Sequence, residues 1–164
     1  MKKYKNHTLE EYLNVLSQRT PVPGGGSAAA LVGSLGAALI SMVANYSIKP
    51  NQPQAIQNKI QTILKKNEAI RLKLLEMVDL DAEAYLRVVE ARRGPDISRK
   101  KKTAALRQAR AIPNKVCRLC YKALALTPFL VVKGNRYLLS DVKVAIEFLL
   151  AAYQSAKVNI EINQ

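Results

Sequence analysis

The chain has 164 residues, a length typical of one domain with a core of useful size, and we expect a single domain over residues 1–164. Apolar residues make up 49% of the chain, which excludes a protein that is disordered by composition. Its 26 basic and 12 acidic residues give a net charge of +14, which favours an anionic partner: nucleic acid, an acidic membrane surface or a polyanionic metabolite.

The first helix is predicted to begin after Thr8. Glu11 follows three residues later, which is the spacing of a capping box, and the apolar residues from Leu9 to Leu16 have helical spacing. Pro21 and Pro23 end this helix. The charged start of the chain, with no apolar stretch close behind it, does not resemble a signal peptide, and we therefore expect a cytoplasmic protein.

Three glycines, Gly24, Gly25 and Gly26, precede Ser27, which is predicted to be the N-cap of the second helix. They either present backbone N–H groups to an anion or form a flexible linker, and they match no nucleotide-binding fingerprint. From Ala28 to Tyr46 the chain is small or apolar throughout. A helix of this kind can span a membrane or lie in a bundle core. Its many Ala, Gly and Ser residues, and the lack of a second such stretch, favour the buried helix.

The remaining elements are also predicted to be helical. A third helix runs from about Gln54 to Arg92, where Gly94-Pro95 ends it, and a fourth extends from its cap Asp96 to about Leu126. The apolar piece Phe129–Val132 has no partner strand and is interpreted as a connector. Ser140 is predicted to cap a final helix that ends near Ile162. About five helices and no credible sheet predict an all-α fold, a bundle or folded leaf around the apolar second helix.

Asp81 interrupts the apolar stripe of the third helix, which extends from Leu74 to Val88. Its side chain is therefore predicted to point toward the core or a cleft, whereas Asp79 is predicted to face water. A buried carboxylate is costly without partners. Asp81 is thus either a structural hydrogen-bond or ion-pair partner, or a residue that holds a substrate or transfers a proton.

Polar residues also mark the two ends of the final helix. Its inward stripe, from Ala145 to Ala156, continues onto Asn159 and Asn163, which either cap the last turn or bind a ligand. Ser140 and Asp141 begin the helix, where a hydroxyl cap and a first-turn acid suit the helix dipole without any further role.

Cysteine and histidine usage narrows the chemistry. Cys117 and Cys120 are predicted to be small core residues in a reducing compartment rather than redox or metal-binding residues, and the chain has too few cysteines for a four-cysteine zinc site. His7 is the only histidine, so a multi-histidine metal site and a Ser-His-Asp arrangement are not expected.

Several blocks, in order along the chain, form a recognisable signature: Thr20–Ala30 with its Pro-Gly-Gly-Gly-Ser core and the Gly/Ala-rich helix after it, Asp81–Tyr85, Pro113, Gly134-Asn135, Ser140-Asp141, Val144-Ala145 and Val158–Asn163. Together they resemble the formimidoyltetrahydrofolate cyclodeaminase / methenyltetrahydrofolate cyclohydrolase family, the C-terminal domain of formiminotransferase-cyclodeaminase. The resemblance covers nearly the whole chain.

The resemblance implies an all-helical domain, usually a homodimer, that acts on folate-bound one-carbon units. A cyclodeaminase closes 5-formimidoyltetrahydrofolate to 5,10-methenyltetrahydrofolate and releases ammonia, and this is the activity we expect. The alternatives are a cyclohydrolase, which interconverts the methenyl form and 10-formyltetrahydrofolate, and a non-catalytic basic member of the family that binds RNA or an acidic partner.

The same resemblance implies no metal and no bound cofactor, because the folate is the substrate. A membrane partner is not expected. Nucleic acid is not expected either, since no nucleic-acid motif is recognised and aromatic residues for base stacking are few.

Two carboxylates are the candidate catalytic residues, Asp81 first and Asp141 second. Ammonia leaves well only when its nitrogen is protonated, so a positioned acid assists the reaction. The methenyl product is a delocalised cation, which a nearby carboxylate would stabilise.

Further residues are expected to bind the substrate. Asn159 or Asn163 would accept hydrogen bonds from the N–H groups of the pterin ring. The turn Gly24–Ser27 would shape the pocket wall or hold an anionic group, and Ser140 would contribute beside Asp141.

Overall fold

The computed structural model describes residues 3–93 and 99–162, which are almost wholly helical. Its elements, in chain order, are a 3-10 turn (Tyr4–Asn6), α1 (Leu9–Leu16), α2 (Gly25–Ser47), α3 (Gln54–Arg93), α4 (Arg99–Leu124), α5 (Thr127–Lys133), a second 3-10 turn (Arg136–Leu138) and α6 (Leu139–Ile162). No strand occurs within the described residues, and the predicted all-α fold is confirmed. The predicted breaks at Gly94-Pro95 and the cap at Asp96 lie outside them.

The four long helices form a bundle in which α2 packs against α3 on one side and α6 on the other, and α4 closes the ring between α3 and α6. Twelve of the 23 residues of α2 are buried. Among the described helices, α2 alone is long and apolar enough to cross a membrane by length and composition. Here it supplies core residues such as Ile40 and Val43, as predicted for a bundle helix. One face differs from the prediction, because Leu35 and Tyr46 are exposed.

Small residues let α2 approach its neighbours closely. A Cβ atom on Gly33 would stand 3.4 Å from Leu74 of α3. Two turns before Leu74 in α3, Asn67 is fully buried. Its Nδ2 donates to residues of α2 that lie one and two turns after Gly33: to the carbonyl oxygen of Ala37 at 2.6 Å and to Ser41 Oγ at 2.8 Å. A larger side chain in this stripe would push α3 away from α2.

The N-terminal segment packs where α2 begins. The predicted capping box of α1 is confirmed: Glu11 N–H donates to Thr8 Oγ1 at 3.1 Å, and Thr8 N–H donates to Glu11 Oε2 at 2.8 Å. Tyr4, buried against the bundle, donates its hydroxyl hydrogen to the carbonyl oxygen of Val22 at 3.2 Å. This bond attaches the loop before α2 to the N-terminal turn.

The start of α2 differs from the prediction. The helix begins at Gly25 with Gly24 as its N-cap, so Ser27 is its third residue and the prediction that Ser27 is the cap was wrong. The hydroxyl of Ser27 bonds elsewhere, to the Tyr12 hydroxyl, and a glycine cap leaves the first turn open to another acceptor.

Two further local predictions also need correction. The apolar piece Phe129–Val132, predicted to be a connector, lies within the short helix α5, where Pro128 occupies a first-turn position that favours helix initiation. The final helix begins at Leu139, directly after a 3-10 turn, so Ser140 lies inside the first turn rather than before it.

Candidate active site

A pocket of about 450 Å³ opens where the N-terminus of α2 meets the second half of α3 and the end of α6. Its volume is within the usual range for small-molecule sites. The pocket brings together five of the residues predicted from the sequence: Gly24, Gly25, Gly26, Asp81 and Asn159.

The carboxylate of Asp81 is seated against the first turn of α2. A Cβ atom on Gly26 would overlap the Asp81 carboxylate, so only glycine leaves room for it. The backbone N–H of Ser27 donates to this carboxylate. Asp81 is therefore itself an anion at the helix N-terminus, which is one of the two interpretations that the sequence left open for the glycine run. Gly24, Gly25 and Gly26 form the pocket wall beside it.

Burial raises the pKa of Asp81 from 3.8 to about 6, and the hydrogen bond from the Ser27 backbone partly opposes that rise. A carboxyl group with a pKa near 6 changes protonation state close to neutral pH. Such a group can both accept and donate a proton during a reaction.

Ser27 supports Asp81 from behind rather than lining the pocket. Its side chain is fully buried, and its Oγ forms a 3.0 Å hydrogen bond with the Tyr12 hydroxyl. Burial raises the pKa of Tyr12, which keeps this phenol neutral. The pair fixes the first turn of α2, and with it the N–H group that holds Asp81.

Asn159 lies at the α6 side of the pocket. Its Nδ2 donates to the carbonyl oxygen of Ser155, one turn earlier, at 2.9 Å. Its Oδ1 lies next to Gly25, 3.9 Å from where a Cβ atom would stand. The sequence left open whether Asn159 caps the last turn or binds a ligand, and its position fits both. Its amide nitrogen donates within the last turns of α6, and the residue lines the pocket.

The structure does not bring Ser140 or Asp141 into this pocket. Both lie at the opposite end of α6 from Asn159, and the separation of 18 positions from Asp141 to Asn159 corresponds to about 27 Å of helix. Asn163 lies outside the described residues.

Asp79 was predicted to face water, and that prediction was wrong. Its side chain is 7% exposed, and its Oδ2 has no hydrogen-bond partner among the described residues. Burial raises the pKa of the Tyr4 and Tyr12 phenols, and the nearby Asp79 carboxylate raises both further. The N-terminal segment therefore covers the side of α3 that the periodicity assigned to solvent.

Two pocket residues with an aromatic or a charged side chain were not among the predicted site residues. Tyr85, assigned to the apolar stripe, is 49% exposed and forms part of the pocket wall. Arg92, near the end of α3, also lines the pocket. Both stand on the Asp81 face of α3, four and eleven residues further on, and that spacing was the signal that could have identified them.

The two cysteines are core residues. Cys117 and Cys120 are buried free thiols, and burial raises the pKa of Cys120 to about 12. A thiol in this setting stays protonated and unreactive near neutral pH.

Comparison with known proteins places this geometry in a family. Residues 8–164 match the family described as formiminotransferase-cyclodeaminase. The chain belongs to this family. It is 34% identical over 165 residues to methenyltetrahydrofolate cyclohydrolase of Methylorubrum extorquens, covering 96% of this chain and 79% of that protein.

Structural similarity within the family is close. The crystal structure of formiminotetrahydrofolate cyclodeaminase from Thermotoga maritima matches with a TM-score of 0.90 and 31% identity, over 97% of this chain and 79% of that one. The rat formimidoyltransferase-cyclodeaminase is 31% identical over 163 residues, which are 95% of this chain but 30% of the rat protein. This chain therefore spans less than a third of the rat protein's length.

Proposed function

We propose that this chain is an enzyme of folate one-carbon metabolism that cyclises 5-formimidoyltetrahydrofolate to 5,10-methenyltetrahydrofolate and releases ammonia. The observation that carries the proposal is Asp81, a carboxyl group with a pKa of about 6 held in a ligand-sized pocket at the start of α2. The relatives named as cyclodeaminase and cyclohydrolase support the same class of substrate.

In this proposal the reaction forms one bond, between N10 and the formimidoyl carbon, and breaks one, between that carbon and the leaving nitrogen. N10 of the protonated substrate attacks the formimidoyl carbon, which gives a cyclic intermediate with an amino group on that carbon. The N10 proton is transferred to the amino group, ammonia leaves, and the methenyl cation remains. Asp81 takes the proton from N10 and gives it to the leaving nitrogen, a role that suits its pKa. In its ionised form it then stabilises the cation.

Asn159 and the glycine wall position the substrate. The Asn159 amide carbonyl would accept a hydrogen bond from the amidine edge of the pterin ring. Gly24 and Gly25 carry no side chain, so a flat ring system can approach the backbone of the first turn closely.

A second candidate is the cyclohydrolase reaction, favoured by the 34% identity to the Methylorubrum extorquens protein of that name. There water attacks the methenyl carbon and ionised Asp81 would take a proton from that water. The remaining hydroxyl proton moves to N5 as the bond from the carbon to N5 breaks, which leaves 10-formyltetrahydrofolate. Incubation with each substrate separates the two activities. Ammonia release from the formimidoyl compound supports the first, whereas loss of the methenyl absorbance without ammonia supports the second.

We also propose that the protein is a homodimer, formed through an apolar face on α2 and α6. The residues of this face are exposed and recur at helical spacing: Leu35 and Tyr46 on α2, and Val144, Phe148, Val158 and Ile162 on α6. Exposed apolar faces of this kind are typical of protein interfaces.

Charges beside the α6 part of this face favour a second copy in antiparallel orientation. Lys143, Glu147, Lys157 and Glu161 follow one another along one exposed flank. Antiparallel pairing of two such flanks sets Lys143 opposite Glu161 and Glu147 opposite Lys157, whereas parallel pairing sets like charges together.

Such a dimer would bring Asp141 and Ser140 of one subunit close to the pocket of the other. Asp141 and Asn159 project from the same side of α6, five helical turns apart. Antiparallel pairing of α6 with its copy therefore moves Asp141 of the partner subunit toward the Asn159 end. We propose that Asp141 and Ser140 serve the pocket of the other copy.

The proposal requires neither metal nor bound cofactor, because the folate itself carries the reacting carbon. The free thiols of Cys117 and Cys120 are consistent with a reducing compartment, and we propose a cytoplasmic location.

A further inference from the structure

One face of α3 forms a wall of the pocket with a gradient of charge along it. Asp81, Tyr85, Val88 and Arg92 occupy this wall at spacings of four, three and four residues, which places all of them on the same side of the helix. The rise of an α-helix sets the span from the first to the last at about 16 Å. The wall is thus acidic at its inner end, aromatic and apolar in the middle, and cationic at its outer end.

The middle of the pocket is built for a flat apolar group. Tyr85 is 49% exposed, and Ala84 and Val88 of α3 and Ala109 of α4 add small or apolar surface to the same pocket. An exposed tyrosine ring beside such a surface favours stacking with an aromatic ligand.

The outer end of the pocket presents a guanidinium group. Arg92 is exposed and lines the pocket, and within residues 3–93 and 99–162 no carboxylate forms an ion pair with it. A guanidinium binds a carboxylate through two parallel hydrogen bonds, so this end of the pocket selects an anionic group.

We infer that the pocket binds a reduced folate in one orientation, with the pterin at Asp81, the aminobenzoyl ring on Tyr85 and the carboxylates of the glutamate tail at Arg92. This inference rests on the proposed function and adds to it the residues that select the tail. The three chemical parts of a folate follow one another in the same order as acid, aromatic ring and cation along α3.

The charges along the pocket favour this ligand orientation over the reversed one. With the ligand reversed, the glutamate carboxylates would face Asp81, which is repulsive whenever Asp81 is ionised, and the cationic one-carbon centre would lie near Arg92. A wholly anionic ligand such as an oligonucleotide would meet the same repulsion at the inner end.

The test compares two stable probes that differ only in the tail: 5-formyltetrahydrofolate and the primary amide of 5-formyltetrahydropteroate, which lacks the glutamate and carries no carboxylate. Titration calorimetry would measure Kd for each with the full chain. Wild type is expected to bind the glutamate-bearing probe more tightly. Arg92→Ala is expected to weaken binding of that probe about tenfold and to leave binding of the pteroate amide unchanged.

Two matched variants make the result specific. Arg110→Ala removes the same charge from α4 at a position that does not line this pocket, and is expected to leave both Kd values within about twofold, because only long-range attraction is lost. Tyr85→Ala is expected to weaken binding of both probes by the same factor, since both carry the aminobenzoyl ring.

The outcomes separate this inference from the proposed function. The assignment of the tail to Arg92 would be overturned, while folate binding stands, by any of three results. Arg92→Ala could weaken binding of both probes equally or of neither, or Arg110→Ala could have the same effect as Arg92→Ala. Failure of wild type to bind either probe would remove the proposed function, and this inference with it.

Discussion

The carboxylate of Asp81 lies where the side chain of residue 26 would be if Gly26 were any other amino acid. Gly26→Ala is therefore expected to displace Asp81 from the first turn of α2 and to lower kcat by at least about a hundredfold, the scale of a lost acid–base group. Gly24→Ala is the comparison, because a Cβ atom there meets nothing within 4 Å and leaves Asp81 in place, so an effect on the pocket wall is expected in KM rather than in kcat. Steady-state kinetics of the two variants checks the relationship, and equal kcat values would show that residue 26 does not position Asp81.

Asp81→Asn tests the proton-transfer role with little change of shape. Its side-chain carbonyl can still accept the Ser27 N–H bond, so we expect a folded protein whose kcat falls about 10²- to 10⁴-fold. Binding of a stable folate should weaken far less than turnover. A variant that turns over at the wild-type rate would remove Asp81 from the mechanism.

The raised pKa of Asp81 also makes a prediction about stability. Between pH 3.8 and about 6 the folded protein keeps a proton that the unfolded chain has released. The Asp81 contribution to the free energy of unfolding therefore falls as the pH rises through this window, on the order of 3 kcal/mol in total. In urea titrations, Asp81→Asn should gain stability relative to wild type at pH 8 but not at pH 4. A difference between the two proteins that does not change with pH would contradict this.

Gly36 tests the packing of α2 on α6. A Cβ atom there would stand 2.9 Å from Leu149 Cγ and 3.0 Å from the Ala145 carbonyl oxygen. Gly36→Ala is expected to lower the free energy of unfolding by about 1–3 kcal/mol despite the better helix propensity of alanine. Denaturant unfolding of this variant and of wild type measures the change. An unchanged or higher stability would mean that α6 can move away from α2 at no cost.

The proposed shared site predicts complementation between two inactive variants. Asp81→Asn and Asp141→Asn, mixed and refolded together, would give hybrid dimers with one intact pocket, and about a quarter of the wild-type activity should return. Each variant refolded alone is the control. If both residues served the same pocket of one chain, mixing would restore nothing.

The sequence predicted much of the fold because the helices are long and their ends are marked. The capping box at Thr8 is confirmed, and α3 begins and ends within a residue of the prediction. The first turn of α2 was harder to predict from the sequence. Ser27 matches the chemistry of a cap, but its hydroxyl bonds to Tyr12 instead, a tertiary contact that no local pattern indicates.

The site was partly predictable for a related reason. The interruption of an apolar stripe at Asp81 identified the residue that lines the pocket, but the same periodicity misassigned Asp79. A helical pattern shows which residues share a face. It does not show that a distant segment, here the one containing Tyr4 and Tyr12, will cover the opposite face. Arg92 was missed because an arginine near a helix end is ordinarily solvated.

Catalysis at Asp81 is central to the proposed function, and one absorbance experiment tests it directly. Purified wild type and Asp81→Asn would each be added to 5-formimidoyltetrahydrofolate, and the near-ultraviolet band of the methenyl product followed against a sample without protein. We predict rapid appearance of the band with wild type and a rate close to the uncatalysed one with the variant. A wild-type trace no faster than the protein-free sample, or a variant as fast as wild type, would contradict the proposed cyclodeaminase mechanism.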